Sequence, residues 1–267
     1  EARAAGIPVA APVTNGPSQP ASDRWARRRR EAWQVPAPLS PSEWAERHIE
    51  LTHSVRPGRY RNANAPYGRL IMDIATRPGV SEINIRKAAQ VGVSQFARNL
   101  VAYWADRERA PAAWTMPSRD KARQISKREL LPLFKETPVL RDLLGSTTGT
   151  ALIETITLLS GFNLDLLWSG SATSTASNSY CLVVNDECDK FDPWAGDEPD
   201  PIARTKKRLR TFGDRGRQVN ISTPTVPDGP ISKLVKNSSV ILFYQVPCPH
   251  CGHYQRLVWP NLRWIKP

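Results

Sequence analysis

The sequence lacks the features that mark disulfide-rich and membrane-spanning proteins. It has 4 cysteines among 267 residues, too few for a disulfide framework, so we expect reduced thiols or metal ligands. Its apolar stretches, such as residues 151–157 and 179–184, are far shorter than the roughly 20 residues that a membrane helix needs. The N-terminus also lacks the uninterrupted apolar core of a signal peptide. We therefore expect a soluble, intracellular protein without membrane contact.

Acidic residues are in short supply. The chain carries 37 Lys and Arg against 25 Asp and Glu, which gives a formal net charge of +12. Such an excess of cations predicts a polyanionic partner, with nucleic acid as the first candidate. With 40% hydrophobic residues, the chain can bury a sizeable core, which excludes global disorder and collagen-like repetition.

The chain divides into a polar start and a patterned remainder. Residues 1–41 are rich in Ala, Pro and Ser and include an arginine-rich run at 24–30. They predict a flexible basic arm, either a solvated leader or a segment that folds on a partner or binds phosphates. From 42 to 246 short apolar strands alternate with helices, a pattern typical of an α/β fold with a mostly parallel sheet and helices on both faces. The expected strands are 81–86, 112–116, 152–158, 164–168, 180–185, 219–222 and 240–246, and a long helix is expected to begin after Ser118.

Residues 87–94 connect the first of these strands to a helix and are similar to a phosphate-binding loop. In the pattern G-x-x-x-x-G-K-S/T, backbone N–H groups cradle phosphates, the lysine neutralises them and the hydroxyl binds Mg²⁺. Gly92 and Ser94 fall in register with this pattern, whereas Lys87 occupies the first glycine position and Val93 the lysine position. The charge has therefore moved to the start of the loop. Alone, the pattern is more often an ordinary strand-to-helix connection.

Two further loops that follow strands favour nucleotide chemistry. Asp186 and Glu187 end an apolar strand, and in such a pair the first acid holds Mg²⁺ while the second orients and deprotonates a water. A solvated turn or a helix cap would also explain two adjacent acids, but the loop at 87–94 makes an ATPase the better joint interpretation. Ser222, Thr223 and Pro224 follow another strand, where two hydroxyls could sense the γ-phosphate or where Pro224 could simply close a turn.

These blocks together resemble the large terminase subunit of tailed phages, lambda type. The resemblance covers about residues 42–267 and rests on Pro66-Tyr67, Ile71-Met72, the segment 83–94, Met116-Pro117-Ser118, Asp186-Glu187-Cys188-Asp189-Lys190, Ser222-Thr223-Pro224 and Cys248-Pro249-His250-Cys251-Gly252. It implies an ATP-driven motor that pulls double-stranded DNA into a preformed capsid in the host cytoplasm. It also implies a RecA-like P-loop domain at 42–246, of the ASCE type, with an added strand between the two nucleotide-binding motifs. The implied partners are DNA, the small terminase subunit, the portal protein and further copies in a ring.

The resemblance also implies roles for individual residues. Lys87 would contact the β- and γ-phosphates, Ser94 and Asp186 would hold Mg²⁺, and Glu187 would be the base for water. Some relatives carry a lysine where Gln95 stands, and a glutamine often stands at the position of Gly68. The implied nucleotide-binding residues are Tyr67, Lys87, Ala88, Ala89, Gln90, Val91, Gly92, Val93, Ser94 and Gln95, and the implied coupling residues are Ser222, Thr223 and Pro224.

The C-terminal cysteines predict half of a zinc site. Cys248 and Cys251 have the spacing of a zinc knuckle, and Gly252 permits the tight turn that lets both thiolates face one ion. Two more ligands are needed, so we expect no complete site here. The resemblance implies that 247–267 are the start of a linker toward a nuclease domain. In this family, that domain makes the intact protein an endonuclease as well. Cys181 and Cys188 are expected to be buried thiols.

A basic run at 204–217 leaves three interpretations open. It could be a solvated helix face, a contact with DNA phosphates, or the source of an arginine finger for a neighbouring subunit, for which Arg204 and Arg210 are the candidates. Lys121, Arg123, Lys127 and Arg128 form a second basic face. Two functional alternatives also stay open. One is another DNA-dependent ATPase, such as a helicase. The other is a nucleic-acid-binding scaffold that does not hydrolyse nucleotide, which is suggested by the absence of a lysine at the position of Val93.

Overall fold

The computed structural model describes residues 38–52, 54, 56–144, 151–176, 178–192, 200–261 and 263. Most of the expected basic arm, up to residue 37, lies outside these ranges. The first helix is Pro41–His48, and Ser40 caps it: the Ser40 side chain accepts from the Glu43 N–H and the Glu43 carboxylate accepts from the Ser40 N–H. This reciprocal capping box satisfies two N–H groups that the helix would otherwise leave unpaired.

The strands are short and are joined mostly by helices. In chain order they are β1 Glu50–Leu51, β2 Gly58–Arg59, β3 Glu82–Arg86, β4 Ala112–Met116, β5 Ala151–Leu152, β6 Thr155–Thr157, β7 Asn163–Trp168, β8 Leu182–Asp186, β9 Arg217–Ser222, β10 Val246–Pro247 and β11 Tyr254–Gln255. The α-helices are Pro41–His48, Tyr67–Asp73, Val93–Tyr103, Arg119–Ile125, Leu131–Glu136, Pro138–Arg141, Ala172–Ala176, Pro201–Lys207 and Pro230–Lys236.

One seven-stranded sheet has the order β3-β9-β8-β4-β7-β6-β5. Strands β3, β9, β8, β4 and β7 run parallel, and β6 and β5 add an antiparallel edge. Strand β9 lies between β3, which leads into the loop at 87–94, and β8, which ends at Asp186. This is the added strand expected between the two motifs. Parallel strands share one carboxyl edge, so both motifs and the end of β9 meet there.

Both faces of the sheet are covered, as predicted for a mostly parallel sheet. Side chains alternate across a strand, and here alternate residues belong to different apolar clusters. Ala112 and Trp114 of β4 join the large cluster, which also includes the helix Val93–Tyr103, whereas Ala113 joins a second cluster with Val183. All residues of β4, β8 and β9 are buried. The predicted α/β class is therefore confirmed.

Three expected elements differ in the structure. The strand expected at 152–158 is a hairpin of β5 and β6, because an antiparallel turn interrupts it. The long helix after Ser118 is divided by a wide turn at Ser126–Leu130 before the helix Leu131–Glu136, where Pro132 removes a backbone donor.

Of the strand expected at 240–246, only Val246 lies in a strand, the short β10, and Val240 to Tyr244 are exposed. An apolar run forms a strand only where a partner pairs with it, which its pattern alone does not reveal. Within the described residues, no helix is long and apolar enough to cross a membrane.

Candidate nucleotide-binding site

The loop after β3 has the shape of a phosphate cradle. Gln90 and Gly92 adopt left-handed conformations, with φ of 57° and 78°, and Gly92 is the N-cap of the helix Val93–Tyr103. At the position of Gly92 the left-handed backbone favours glycine, because glycine has no Cβ to clash. Residues 88–90 and 92 are exposed. The amide groups of the loop and of the helix start are thus open to a ligand, as an anion site requires.

Lys87 supplies the ammonium of this loop. Its Nζ donates to Thr223 Oγ1 at 3.3 Å, and its backbone N–H donates to the Ser222 carbonyl oxygen at 3.0 Å. Val93, at the usual lysine position, is only 3% exposed and packs in the core. The lysine shifted to the loop's start therefore lies between the loop and the segment that follows β9.

The carboxylate at the end of β8 and the hydroxyl of the loop line the same cleft. Asp186 is 3% exposed, and its Oδ1 accepts from the Glu187 N–H at 3.0 Å. Burial raises the pKa of Asp186, whereas a hydrogen bond with the Ser94 side chain and the charge of Lys87 oppose that rise. A hydroxyl and a carboxylate side by side are oxygen ligands of the kind that Mg²⁺ prefers. The residues present therefore fit this ion.

Glu187 has a different environment from its neighbour. Its backbone is left-handed, with φ of 60°, and its Oε2 lies 3.1 Å from Lys190 Nζ. The side chain is partly exposed, and it lines a cleft of about 260 Å³ together with Ser94 and Asp186. One acid is thus buried beside the loop, and the other reaches the solvent-filled cleft, where a water can approach it.

The segment after β9 touches both motifs. Ser222 Oγ accepts from the Asp189 N–H at 3.0 Å, while Thr223 contacts Lys87 as described. Asp189 in turn accepts from the Thr225 N–H at 3.0 Å and from the Ile231 N–H at 2.8 Å. Asp189 was predicted as part of the acidic motif without a role of its own. Its backbone partners, Thr225 and Ile231, lie far along the chain and cannot be found from the local sequence.

Tyr67 lies against the phosphate loop. Its hydroxyl donates to the Val91 carbonyl oxygen at 2.6 Å, and its ring packs edge-on at 5.5 Å against Phe96 and against Tyr244. The neighbouring Gly68 has no room for a side chain, because a Cβ there would lie 2.4 Å from Phe96 Cζ. This close packing explains the glycine at a position where the resemblance suggested glutamine.

Gln95 faces its own helix. Its Nε2 donates to Asn99 Oδ1 at 2.7 Å, and its Oε1 accepts from Arg98 Nη2 at 2.6 Å. Arg98 lines the same cleft as Asp186 and Glu187. The sequence analysis did not single it out, since an arginine within a helix resembles any surface residue.

Residues 54–267 match the family described as phage terminase large subunit gpA, ATPase domain. The chain belongs to this family. It is 26% identical over 244 residues to the terminase large subunit of Enterobacteria phage P21, covering 87% of this chain and 38% of that protein. It is 24% identical over 226 residues to that of Escherichia phage lambda, covering 83% and 35%.

A solved structure, the large terminase of bacteriophage HK97, matches with a TM-score of 0.57 and 14% identity, covering 74% of this chain and 40% of that one. At this identity the likeness concerns the fold, and it confirms the RecA-like prediction. The chain spans between 35% and 40% of the length of these three proteins.

The structure separates the two arginine-finger candidates of this terminase domain. Arg204 is 4% exposed and its Nη2 donates to the Ser169 carbonyl oxygen at 2.9 Å. A guanidinium buried inside its own domain is poorly placed to reach a neighbouring subunit, which disfavours Arg204 as the finger; its role stays a prediction. Arg210 is exposed, and its role in trans stays a prediction.

Much of the basic run at 204–217 is engaged within the terminase domain. Lys206 pairs with Glu82, and Arg215 with Glu108. Arg217 is buried and donates to backbone carbonyl oxygens, among them that of Ala75 at 2.8 Å. These contacts favour a largely structural interpretation of the run over a continuous DNA-binding surface.

The cysteines occupy two kinds of environment. Cys181 and Cys188 are fully buried, as predicted, and burial raises the pKa of both thiols. Cys248 and Cys251 lie on the turn between β10 and β11, where hydrogen bonds from backbone N–H groups of Cys251 and His250 lower the pKa of Cys248. Within the described residues, no group of three or more His, Cys, Asp or Glu could hold a metal ion. The two thiols thus supply only half of a zinc ligand set.

Proposed function

We propose that this chain is the ATPase motor domain of a viral terminase large subunit, which hydrolyses ATP to translocate double-stranded DNA into the procapsid. The observation that carries this proposal is the placement of Ser94 and the buried Asp186 in the lining of one cleft, directly after an exposed phosphate loop. Such a placement serves a magnesium nucleotide and has little value in a passive scaffold, since a buried carboxylate disfavours folding unless a cation joins it.

Each residue of the site has a chemical task. The loop amides and Lys87 bind the β- and γ-phosphates, Ser94 and Asp186 hold Mg²⁺, and the ion when bound neutralises phosphate charge. Glu187 orients a water in the cleft and accepts its proton. The water oxygen forms a bond to the γ-phosphorus as the bond to the bridging oxygen of ADP breaks. Tyr67, at the loop, is our candidate for contact with the adenine.

The site also accounts for coupling to movement. Ser222 and Thr223 touch the acidic motif and Lys87 respectively, so a change at the γ-phosphate alters contacts of the segment after β9. The family relationship supports partners of the intact protein: the small terminase subunit, the portal protein, DNA and further copies in a ring, with Arg210 acting in trans. We also propose, on the same ground, that the intact protein is an endonuclease of the host cytoplasm whose zinc site is completed beyond Cys248 and Cys251.

Equilibrium binding of a fluorescent ATP analogue tests the proposal. We expect binding that depends on Mg²⁺, and Ser94→Ala should remove most of that dependence. Ser118→Ala is a matched control, because Ser118 caps the helix Arg119–Ile125 and is not part of the site. Binding without any effect of Mg²⁺, or none at all, would favour the scaffold alternative.

A further inference from the structure

The cleft beside the acid pair has a second, basic wall. Its volume is about 260 Å³, and besides Ser94, Asp186 and Glu187 it is lined by residues of the helix Arg119–Ile125 and the turn Ser126–Leu130. The described lining carries three cationic and three acidic side chains, so it is close to neutral. The cations are Arg98, Lys121 and Arg128, and the acids are Glu129, Asp186 and Glu187.

Arg98 is the innermost cation of this cleft. Its side chain is 14% exposed, whereas Lys121 and Arg128 are exposed at the rim. Its Nη2 donates to Gln95 and lies 3.4 Å from Glu129 Oε2. Within the described residues, its Nε and Nη1 groups make no hydrogen bond to another side chain or to the backbone. A guanidinium with unused donors beside a cleft is suited to an oxyanion, to which its Nε and Nη1 groups can donate charge-assisted hydrogen bonds.

The charge balance of the cleft depends on the metal. Without an ion, the acids Glu129, Asp186 and Glu187 offset the three cations. A Mg²⁺ held by Ser94 and Asp186 adds two positive charges to one end. The cleft then favours a small dianion, because the net potential of a narrow site attracts the opposite charge.

The direction of the reaction leads toward the same cleft. In phosphoryl transfer the attacking and leaving oxygens are roughly in line, and the phosphoryl group moves toward the attacking water. Glu187, which orients that water in the proposed function, lines the cleft. The displaced phosphate therefore moves away from ADP and toward Arg98.

We propose that this cleft receives the orthophosphate released by hydrolysis, and that Arg98 is the residue that binds it there. The inference rests on the proposed function, since the phosphate derives from ATP. Lys121 and Arg128 then lie at the exit, where their exposed charges guide the anion to solvent. Once the phosphate has left through this cleft, Glu187 can orient a new water for the next cycle of hydrolysis.

Titration of inorganic phosphate into the chain saturated with ADP and Mg²⁺ tests this assignment. We expect heat or fluorescence changes that report phosphate binding, at least a tenfold loss of affinity in Arg98→Gln, and a partial recovery in Arg98→Lys, which keeps the charge without the fork. ADP affinity should be the same in all three proteins. Arg86→Gln is the matched control, because Arg86 is an exposed arginine beside Lys87 that lines a different cavity.

Equal phosphate affinity in the wild type and Arg98→Gln, or no phosphate binding despite normal ADP binding, would overturn the assignment and leave the ATPase intact. Failure of ADP to bind would overturn the proposed function as well. If Arg98→Gln does not fold, Arg128→Gln carries the same test from the rim. It should weaken phosphate binding several-fold without changing ADP affinity, and an unchanged affinity would again contradict the assignment.

Discussion

The carboxylate of Asp189 accepts a hydrogen bond from the backbone N–H of Ile231 at 2.8 Å. This bond attaches the acidic motif to the first turn of the helix Pro230–Lys236, and a second bond, from the Thr225 N–H, attaches it to the segment after β9. A Cβ at Gly229 would lie 2.3 Å from Asp189 Oδ2, so only glycine permits this approach. The residue two positions after Glu187 is thus hydrogen-bonded directly to the start of a helix.

Replacing Asp189 tests that connection. In Asp189→Asn, an NH₂ group replaces one of the two carboxylate oxygens that accept from backbone N–H groups. Two donors then face each other, which should lower the free energy of unfolding by about 1–3 kcal/mol. Denaturant unfolding measures this loss. Asp142→Asn, at a strongly exposed side chain, should change stability by less than about 0.5 kcal/mol. Equal stabilities for the two variants would show that the contacts of Asp189 are unimportant.

The close packing of Gly68 on Phe96 predicts a second loss of stability. Gly68→Ala places a methyl group 2.4 Å from the Phe96 ring, and such overpacking typically costs about 1–3 kcal/mol. Gly170→Ala is the control, because a Cβ there meets its nearest neighbour at an ordinary 3.5 Å. Thermal unfolding of the two variants provides the comparison, and a Gly68→Ala protein as stable as the control would contradict the packing described.

Asp186 should reduce the stability of the chain in the absence of metal. Since burial raises its pKa, the folded state holds the proton more tightly than the unfolded state does. The stability from this group is present at low pH and is lost as the pH rises through the raised pKa. Asp186→Asn, which can keep the contacts with Ser94 and the Glu187 N–H, should therefore be more stable than the wild type at neutral pH without Mg²⁺.

The measurement is denaturant unfolding of both proteins from acid to neutral pH in a chelating buffer. The advantage of Asp186→Asn should grow as the pH increases, and the same variant should lose Mg²⁺-dependent nucleotide binding. A wild type that is the more stable protein at neutral pH would contradict this account of the carboxylate.

Arg204 and Arg210 should respond in opposite ways to substitution. Arg204→Ala removes a buried guanidinium that donates to the Ser169 carbonyl oxygen and should destabilise the domain by about 1.5–3 kcal/mol, the usual range for a hydrogen bond to a charged group. Arg210→Ala should change stability by less than about 0.5 kcal/mol and lower ATP turnover only in the assembled ring. Mixing each variant with wild-type protein separates a role in trans from a folding defect.

The sequence predicted the parts of the site that are local in the chain. A strand, a glycine-containing loop and a helix start are contiguous at 82–94, so the phosphate loop could be recognised, and the same holds for the strand that ends at Asp186. The added strand between the two motifs followed from the family resemblance rather than from pattern, and the order of the remaining strands was not predicted.

What could not be predicted depends on tertiary contacts. Arg98 lines the cleft beside Glu129. Glu129 belongs to the turn Ser126–Leu130, which is distant from Arg98 in the chain. Arg204 is buried because Ser169 lies across from it, and no periodicity in a basic run distinguishes it from Arg210. The apolar residues 240–244 were predicted as a strand, but no neighbouring strand of the described chain pairs with them.

The most direct test of the central claim is steady-state ATP hydrolysis by Glu187→Gln in the presence of DNA and Mg²⁺, with nucleotide affinity measured on the same protein. Glutamine cannot accept the proton of the attacking water but keeps the shape of the side chain. We expect turnover to fall by at least a hundredfold, on the scale of general base catalysis, while the affinity for ATP stays within about twofold of the wild type. An unchanged rate would contradict the assignment of Glu187 and the reaction built on it.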